Sequence, residues 1–375
     1  MAGILKKERL MLRIAVSLLL FAVTLSSTLG QVKLPAPRYG YVFAPDQRYA
    51  VVDLVAGRVV TSGNIAQVAS VTRVYVSPFR QRLLVQGVNP ADLKAPEPTE
   101  QLALVTQVRG AGGPRLSFDR WLQGPTPSSR SIWAKVLSQN LLLVSWQNER
   151  IQTSFYDTTF NASRTIDNFQ VTPTTCLGSD GQTIYSVAHN PKREIKSVNL
   201  RSFVVGESSY AAIGNATAYY KAPVASDGCV VAFIERMSRA SQGPAPATIY
   251  LHDVEKNTTL KKFNVEGDGR FAVVIKRNLL LLDLTTLVPN KLADGTTVGL
   301  RRSSAGSLLL YDTEVGKESA RISVPPDGAL AGVSSDGQTA YYLSRSLLTV
   351  IDLVDRRVTA KTALPFPYGI FVAGE

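Results

Sequence analysis

A short punctuation mark recurs along this chain and restricts its fold more than any other feature. GSDGQTIYSVA from Gly178, ASDGCVVAFIE from Ala225, EGDGRFAVVI from Glu266 and SSDGQTAYYLS from Ser334 each set an Asp-Gly turn before an apolar strand, and APDQRYAVVDL from Ala44 is a weaker copy. Asp-Gly suits such a turn because Gly takes a positive φ without steric cost. The turn residues Asp180, Asp227 and Asp268 follow one another at 47 and 41 residues, and Asp336 comes 68 later. The first two intervals match a repeat of ~40–50 residues, the length of one four-stranded unit in a radial β-array.

A second mark has the same period. Apolar strands end in Asp or Asn before a polar turn at VVDL (Asp53), FYDT (Asp157), VNL (Asn199), LHDV (Asp253), LYDT (Asp312) and VIDL (Asp352). An aspartate there accepts hydrogen bonds from backbone N–H groups of the following turn, so Asp53, Asp157, Asp253, Asp312 and Asp352 are read as turn caps rather than catalytic groups. Beyond the N-terminal segment, no long stretch carries an i, i+3, i+4, i+7 apolar face, and Gly and Pro recur every few residues. These patterns predict an all-β chain folded as a β-propeller. The count is seven blades, with six or eight left open by LLDL at Asp283, which falls 30 residues after Asp253 and 29 before Asp312. It marks either an extra strand in an irregular blade or a lean additional blade.

The two ends of the chain predict how the ring closes. PFPYGIFVAGE at the C-terminus resembles the innermost strand of a repeat, whereas YGYVFAPDQRYAVVDLVAGRVV near the N-terminus enters as the second to fourth strands. Tyr368–Ala373 is therefore expected to supply the inner strand of the blade whose other strands lie within Tyr39–Ser62, hiding edges that would otherwise invite aggregation.

The combination of Ser335-Asp336-Gly337, the Tyr341-Tyr342-Leu343-Ser344 strand, Val350-Ile351-Asp352-Leu353 and the closing Pro367-Tyr368-Gly369-Ile370-Phe371-Val372 resembles the YVTN-type, lactonase-like β-propellers. Tyr185-Ser186-Val187-Ala188 is a second copy of the tyrosine strand. The likeness is strong over the last 40 residues, fair from Thr174 to Ile275 and weak between Ala66 and Ser163. It implies a fold and carries no activity with it.

Residues 1–30 read as a secretory signal peptide. A basic stretch (Lys6, Lys7, Arg9, Arg13) precedes an apolar run from Ile14 to Val23 and a small polar tail. The run is about half the ~20 residues needed to span a bilayer. The expected mature protein is a monomeric, secreted or periplasmic single domain over 31–375, with its formal charge falling from +12 to +9. Its Lys and Arg occur in scattered pairs such as Lys192-Arg193, Lys261-Lys262, Arg301-Arg302 and Arg356-Arg357, a pattern of solvated surface with attraction to acidic polymers or anionic envelope surfaces as the sharper reading. No nucleic-acid signature accompanies them. Cys176 and Cys229, the only cysteines, fit either one disulfide or two buried thiols.

The chain has no Gly-x-Ser-x-Gly elbow, phosphate-binding Gly-Lys-Ser/Thr loop or His-Glu-x-x-His motif. Its two histidines are read as surface or turn residues; His252 and Asp253 are neighbours on a strand and point to opposite faces, so they do not form a base with its orienting carboxylate. Trp121, Trp133 and Trp146 are expected to pack in the core or between blades, with stacking on a sugar or nucleobase as the alternative. Asn161, Asn215 and Asn257 head Asn-x-Ser/Thr sequons. No residue is assigned to catalysis, a cofactor or a metal. The leading functional expectation is a noncatalytic propeller that binds or scaffolds a protein or small ligand through its face loops or central channel. A lactonase-like hydrolase or other propeller enzyme is the alternative, offered by the resemblance only as an analogy of fold, and binding of acidic polymers is the third.

Overall fold

The computed structural model describes residues 38–373 apart from 78–81, 111–112, 139–140, 158, 188–193, 210–228, 237–246, 268, 292–295 and 368. The expected signal peptide, Asp227, Asp268, His189, Asn215 and Tyr368 therefore lie outside the described residues. No helix among the described residues is long and apolar enough to cross a membrane.

The chain forms seven antiparallel sheets arranged as a seven-bladed β-propeller. Blade 1 contains β1 (Tyr39–Phe43), β2 (Arg48–Asp53) and β3 (Arg58–Asn64). Blade 2 contains β4 (Ala69–Ser77), β5 (Arg82–Val88), β6 (Glu100–Gly110) and β7 (Gly113–Leu122), and blade 3 contains β8 (Arg130–Ser138), β9 (Leu141–Gln147), β10 (Ile151–Tyr156) and β11 (Ala162–Asp167). Blade 4 is β12 (Cys176–Leu177), β13 (Thr183–Val187), β14 (Glu194–Asn199) and β15 (Val205–Ser209); blade 5 shows β16 (Val230–Arg236), β17 (Ala247–Asp253) and β18 (Thr258–Val265). Blade 6 is β19 (Gly269–Val274), β20 (Leu279–Lys291), β21 (Thr297–Asp312) and β22 (Lys317–Ser323). Blade 7 is β23 (Gly328–Val333), β24 (Thr339–Ser344), β25 (Leu347–Asp352) and β26 (Arg357–Ala363).

The last strand, β27 (Ile370–Ala373), returns to blade 1 and pairs antiparallel with β1, in the register Gly40↔Ala373, Tyr41↔Val372, Val42↔Phe371 and Phe43↔Ile370. Sheet order β27-β1-β2-β3 makes the C-terminus the innermost strand of the first blade, as the sequence predicts. Around the channel, β27 lies against β23 on one side and β4 on the other, and β4 lies against β8.

Both faces of each blade are apolar, which explains the near-continuous hydrophobic runs of the central strands. In β5, Leu83 and Val85 pack toward blade 1 and Leu84 toward blade 3. In β20, Leu280 and Leu282 join blade 5 while Leu279 and Leu281 join blade 7. In β1, Tyr41 and Phe43 face blade 2, whereas Val42 faces blade 7 across the closing seam. The period of two thus divides each strand between two interfaces, and a described apolar cluster fills every interface around the ring.

Asp283 belongs to neither an extra strand nor an extra blade. It lies within β20, which continues past the blade as a long hairpin with β21, pairing through Thr285↔Ser304 to Lys291↔Thr297. Blade 2 departs from the repeat in a comparable way: β6 and β7 run on to a Gly110↔Gly113 tip, so no Asp-capped turn marks that blade.

At the seam, Phe371 is buried with its ring centroid 4.8 Å from that of Tyr341. A Cβ at Gly40 would stand 2.5 Å from the Phe371 ring, so glycine is what lets the ring lie on β1. Phe371→Ala should cost about 3 kcal/mol in a denaturant titration, the usual loss for truncating a buried aromatic. A loss below about 1 kcal/mol would mean that the seam is not packed in this way.

Candidate functional site

The turn aspartates gather at one end of the blades and act as caps. Asp53 Oδ1 accepts from Val55 N (3.1 Å) and Ala56 N (2.9 Å), and Asp157 Oδ1 from Thr159 N (2.8 Å). Asp253 Oδ1 accepts from Lys256 N (3.0 Å), Asp312 Oδ1 from Glu314 N (2.8 Å) and Asp352 Oδ1 from Val354 N (2.7 Å). These bonds hold the carboxyls of Asp53 and Asp157 below their ordinary range: for Asp53 the largest contribution comes from the Ala56 amide, for Asp157 from the Thr159 side chain. The Asp-Gly turns use the same device, with Asp180 Oδ1 accepting from Gln182 N and Asp336 Oδ1 from Gln338 N, while Gly181 and Gly337 take φ of 64° and 68°.

Cys176 and Cys229 form a disulfide with Cα atoms 5.2 Å apart. It joins the inner strand of blade 4 to the residue preceding β16 in blade 5. His252 is fully buried in β17 beside Phe233 (ring centroids 6.0 Å apart), not at a surface or turn; the bulge between Leu251 and His252 lies at that point in the strand. Burial lowers its pKa, and a hydrogen bond to the Asn257 side chain opposes that shift. Trp146 is a core residue between blades 2 and 3, and Trp121 packs edge-on against Phe118 in β7.

Trp133 has different surroundings. It lies on β8, the inner strand of blade 3, where Lys135 follows two residues later. On the adjacent inner strand, β4, Arg73 and Tyr75 have the same spacing, so each pair shares one strand face. The guanidinium carbon of Arg73 lies 4.2 Å from the Trp133 ring centroid, and Tyr75 meets Trp133 edge-on at 6.2 Å and 74°. All four side chains are half-buried; Tyr75 packs against the apolar cluster between blades 2 and 3, and Trp133 against the one between blades 3 and 4.

Hydrogen bonds fix the group in place. Arg73 Nη1 donates to Ile132 O (2.9 Å) and Gln86 Oε1 (3.4 Å), and Tyr75 OH donates to the same amide oxygen (3.3 Å). Fully buried Gln86 donates through Nε2 to Glu100 Oε2 (2.8 Å) and Ser131 O (2.9 Å), tying β5 and β6 to the start of blade 3. Lys135 Nζ donates to Pro173 O (3.0 Å) in the connection leading into blade 4. Among the described residues, no carboxylate lies within ion-pair distance of Arg73 or Lys135. Enclosure lowers the Lys135 pKa to about 8 and raises that of Tyr75 to about 12, so the phenol stays protonated. The arrangement sets two fixed cations beside a pair of rings packed edge to face, suited to holding an anion.

A second polar locus lies between blades 6 and 7. Buried Asp283 accepts hydrogen bonds from Ser304 Oγ (2.8 Å), Leu330 N (3.2 Å) and Tyr342 OH (3.4 Å), the last two from blade 7. Desolvation pushes its carboxyl up to about 6, against the lowering effect of these donors and of Arg270. It is a latch between blades, whose acid form is favoured by the fold.

The pattern Arg73-x-Tyr75 and Trp133-x-Lys135 is visible in the sequence, but it acquires meaning only once β4 and β8 are known to be inner strands. Fold and site together define a seven-bladed β-propeller with a cationic, aromatic cluster on two adjacent inner strands. Among solved structures, the chain is similar to dihydro-heme d1 dehydrogenase NirN in complex with DHE (TM-score 0.51, 12% identity, 92% of this chain and 77% of that one). It is also similar to a functionally unknown protein from Desulfotomaculum acetoxidans DSM 771 (TM-score 0.50, 8% identity, 88% and 98% covered). Apo AztD from Citrobacter koseri aligns at a TM-score of 0.49 with 14% identity, covering 91% and 99%. For the first two, at 12% and 8% identity, the likeness is one of fold. No protein-family model matches the chain, and no curated protein matches it.

The Asp283 carboxyl gives the stability a specific pH dependence. Its pKa is raised on folding from 3.8 to about 6, so the stability it contributes is complete below pH ~4 and is lost as pH rises through ~6. Asp283→Asn, which keeps the acceptor oxygen, should gain on the order of 3 kcal/mol relative to wild type between pH ~4 and ~7. Denaturant titrations across that range test this; a difference that stays constant with pH would contradict it.

Proposed function

We propose that this protein is an exported, noncatalytic binding propeller whose ligand seat is the channel wall formed by Arg73, Tyr75, Trp133 and Lys135. One observation carries this reading: two cations are fixed by neutral acceptors and rings on adjacent inner strands, with no carboxylate in ion-pair distance among the described residues. A purely structural cluster would gain stability by pairing those charges, whereas a binding site leaves the counter-charge to its ligand. The four side chains supply charge, rings and a protonated phenol, which suit holding a molecule rather than transforming it. Export is supported by the basic, apolar and small-polar order of residues 1–30.

The test is retention of small molecules. Mature protein is dialysed against an extract of the cells that express it, and the retained compounds are identified by mass spectrometry. Wild type should retain a compound unchanged that Trp133→Ala and Tyr75→Ala, both checked for folding by circular dichroism, retain at least about tenfold less. Equal retention by the variants, or conversion of the retained compound, would overturn the reading.

A further inference from the structure

Resting on that reading of the seat, we propose that it selects a flat, ring-bearing oxyanion, in its simplest form an aromatic carboxylate. The selectivity follows from how each group is held. Arg73 has its guanidinium against Trp133 and one nitrogen committed to the Ile132 carbonyl, so the fork is set before any ligand arrives. A guanidinium oriented in this way meets the two oxygens of a carboxylate without first losing side-chain freedom. Lys135 carries three donors, of which the structure commits one to Pro173 O. Its position two residues beyond Trp133 puts the ammonium on the same strand face as the indole.

The rings set the rest of the ligand. Tyr75 and Trp133 meet edge to face, an arrangement that offers flat apolar surface beside the cations. A ring in contact with them places a carboxylate attached to it near Arg73, 4.2 Å from the Trp133 ring centroid, and beside the strand face that carries Trp133 and Lys135. Enclosure disfavours the charged form of Lys135, and an oxyanion beside the ammonium offsets that cost, which a neutral ligand of the same shape does not. The seat therefore discriminates by charge more than by shape.

Calorimetric titration of the mature protein with 2-naphthoate, its neutral isostere 2-naphthamide, and acetate tests this without any variant. The expected order has 2-naphthoate at least about tenfold tighter than either of the others. Arg73→Met and Lys135→Met should each weaken 2-naphthoate by about tenfold and leave 2-naphthamide unaffected. Equal affinity for naphthoate and naphthamide overturns the charge selectivity while leaving a channel seat in place. Acetate as tight as naphthoate overturns the ring requirement. Absence of naphthoate binding also overturns the proposed ligand class, and the retention experiment then separates the two claims: Trp133-dependent retention of another compound keeps the seat, and no retention removes it.

Discussion

Every blade of this protein is apolar on both faces, and the rest of the structure depends on that fact. A two-faced sheet is stable only when a neighbour covers each side, so a row of such sheets has unsatisfied ends until it closes. The chain closes by sending β27 back to β1, which completes blade 1 with a strand from the far end of the sequence and covers blade 7 with Val42, Ala50 and Val52. Leu84, Phe271 and Tyr342 are fully buried because the ring leaves no terminal face for them to occupy.

Closure also determines where polar chemistry can be placed. Side chains at the middle of each sheet are committed to the interfaces, whereas the inner strands have one edge without a hydrogen-bonded neighbour. Arg73, Tyr75, Trp133 and Lys135 lie on two such strands, where they are half-buried. Asp283 shows the opposite case. It is a carboxylate inside an interface, kept there by three donors and by a protonation equilibrium shifted toward the acid form.

Local signals were legible in the sequence to the extent that they acted locally. The Asp caps at Asp53, Asp253, Asp312 and Asp352 could be read because each accepts the backbone amides of its own turn, and the closing strand could be read because its residues match the start of a repeat. Asp283 resembled those caps in its LLDL context, but its strand runs on into a hairpin, and nothing within four residues reveals that Leu330 and Tyr342 will bind it. The burial of His252 was likewise hidden, since its neighbour Phe233 comes from another strand. The channel cluster was the least legible part. It sits in blades 2 and 3, where long strands and bulges replace the periodic marks, and its geometry joins residues about sixty positions apart.

Hydrogen–deuterium exchange at the two ends of the chain tests ring closure most directly. The amides of Ile370–Ala373 that bond to β1 should exchange as slowly as those of β1 and β2, because all of them belong to one sheet. Exchange of Ile370–Ala373 at the rate of an unprotected tail, with β1 and β2 still protected, would contradict closure by the C-terminal strand.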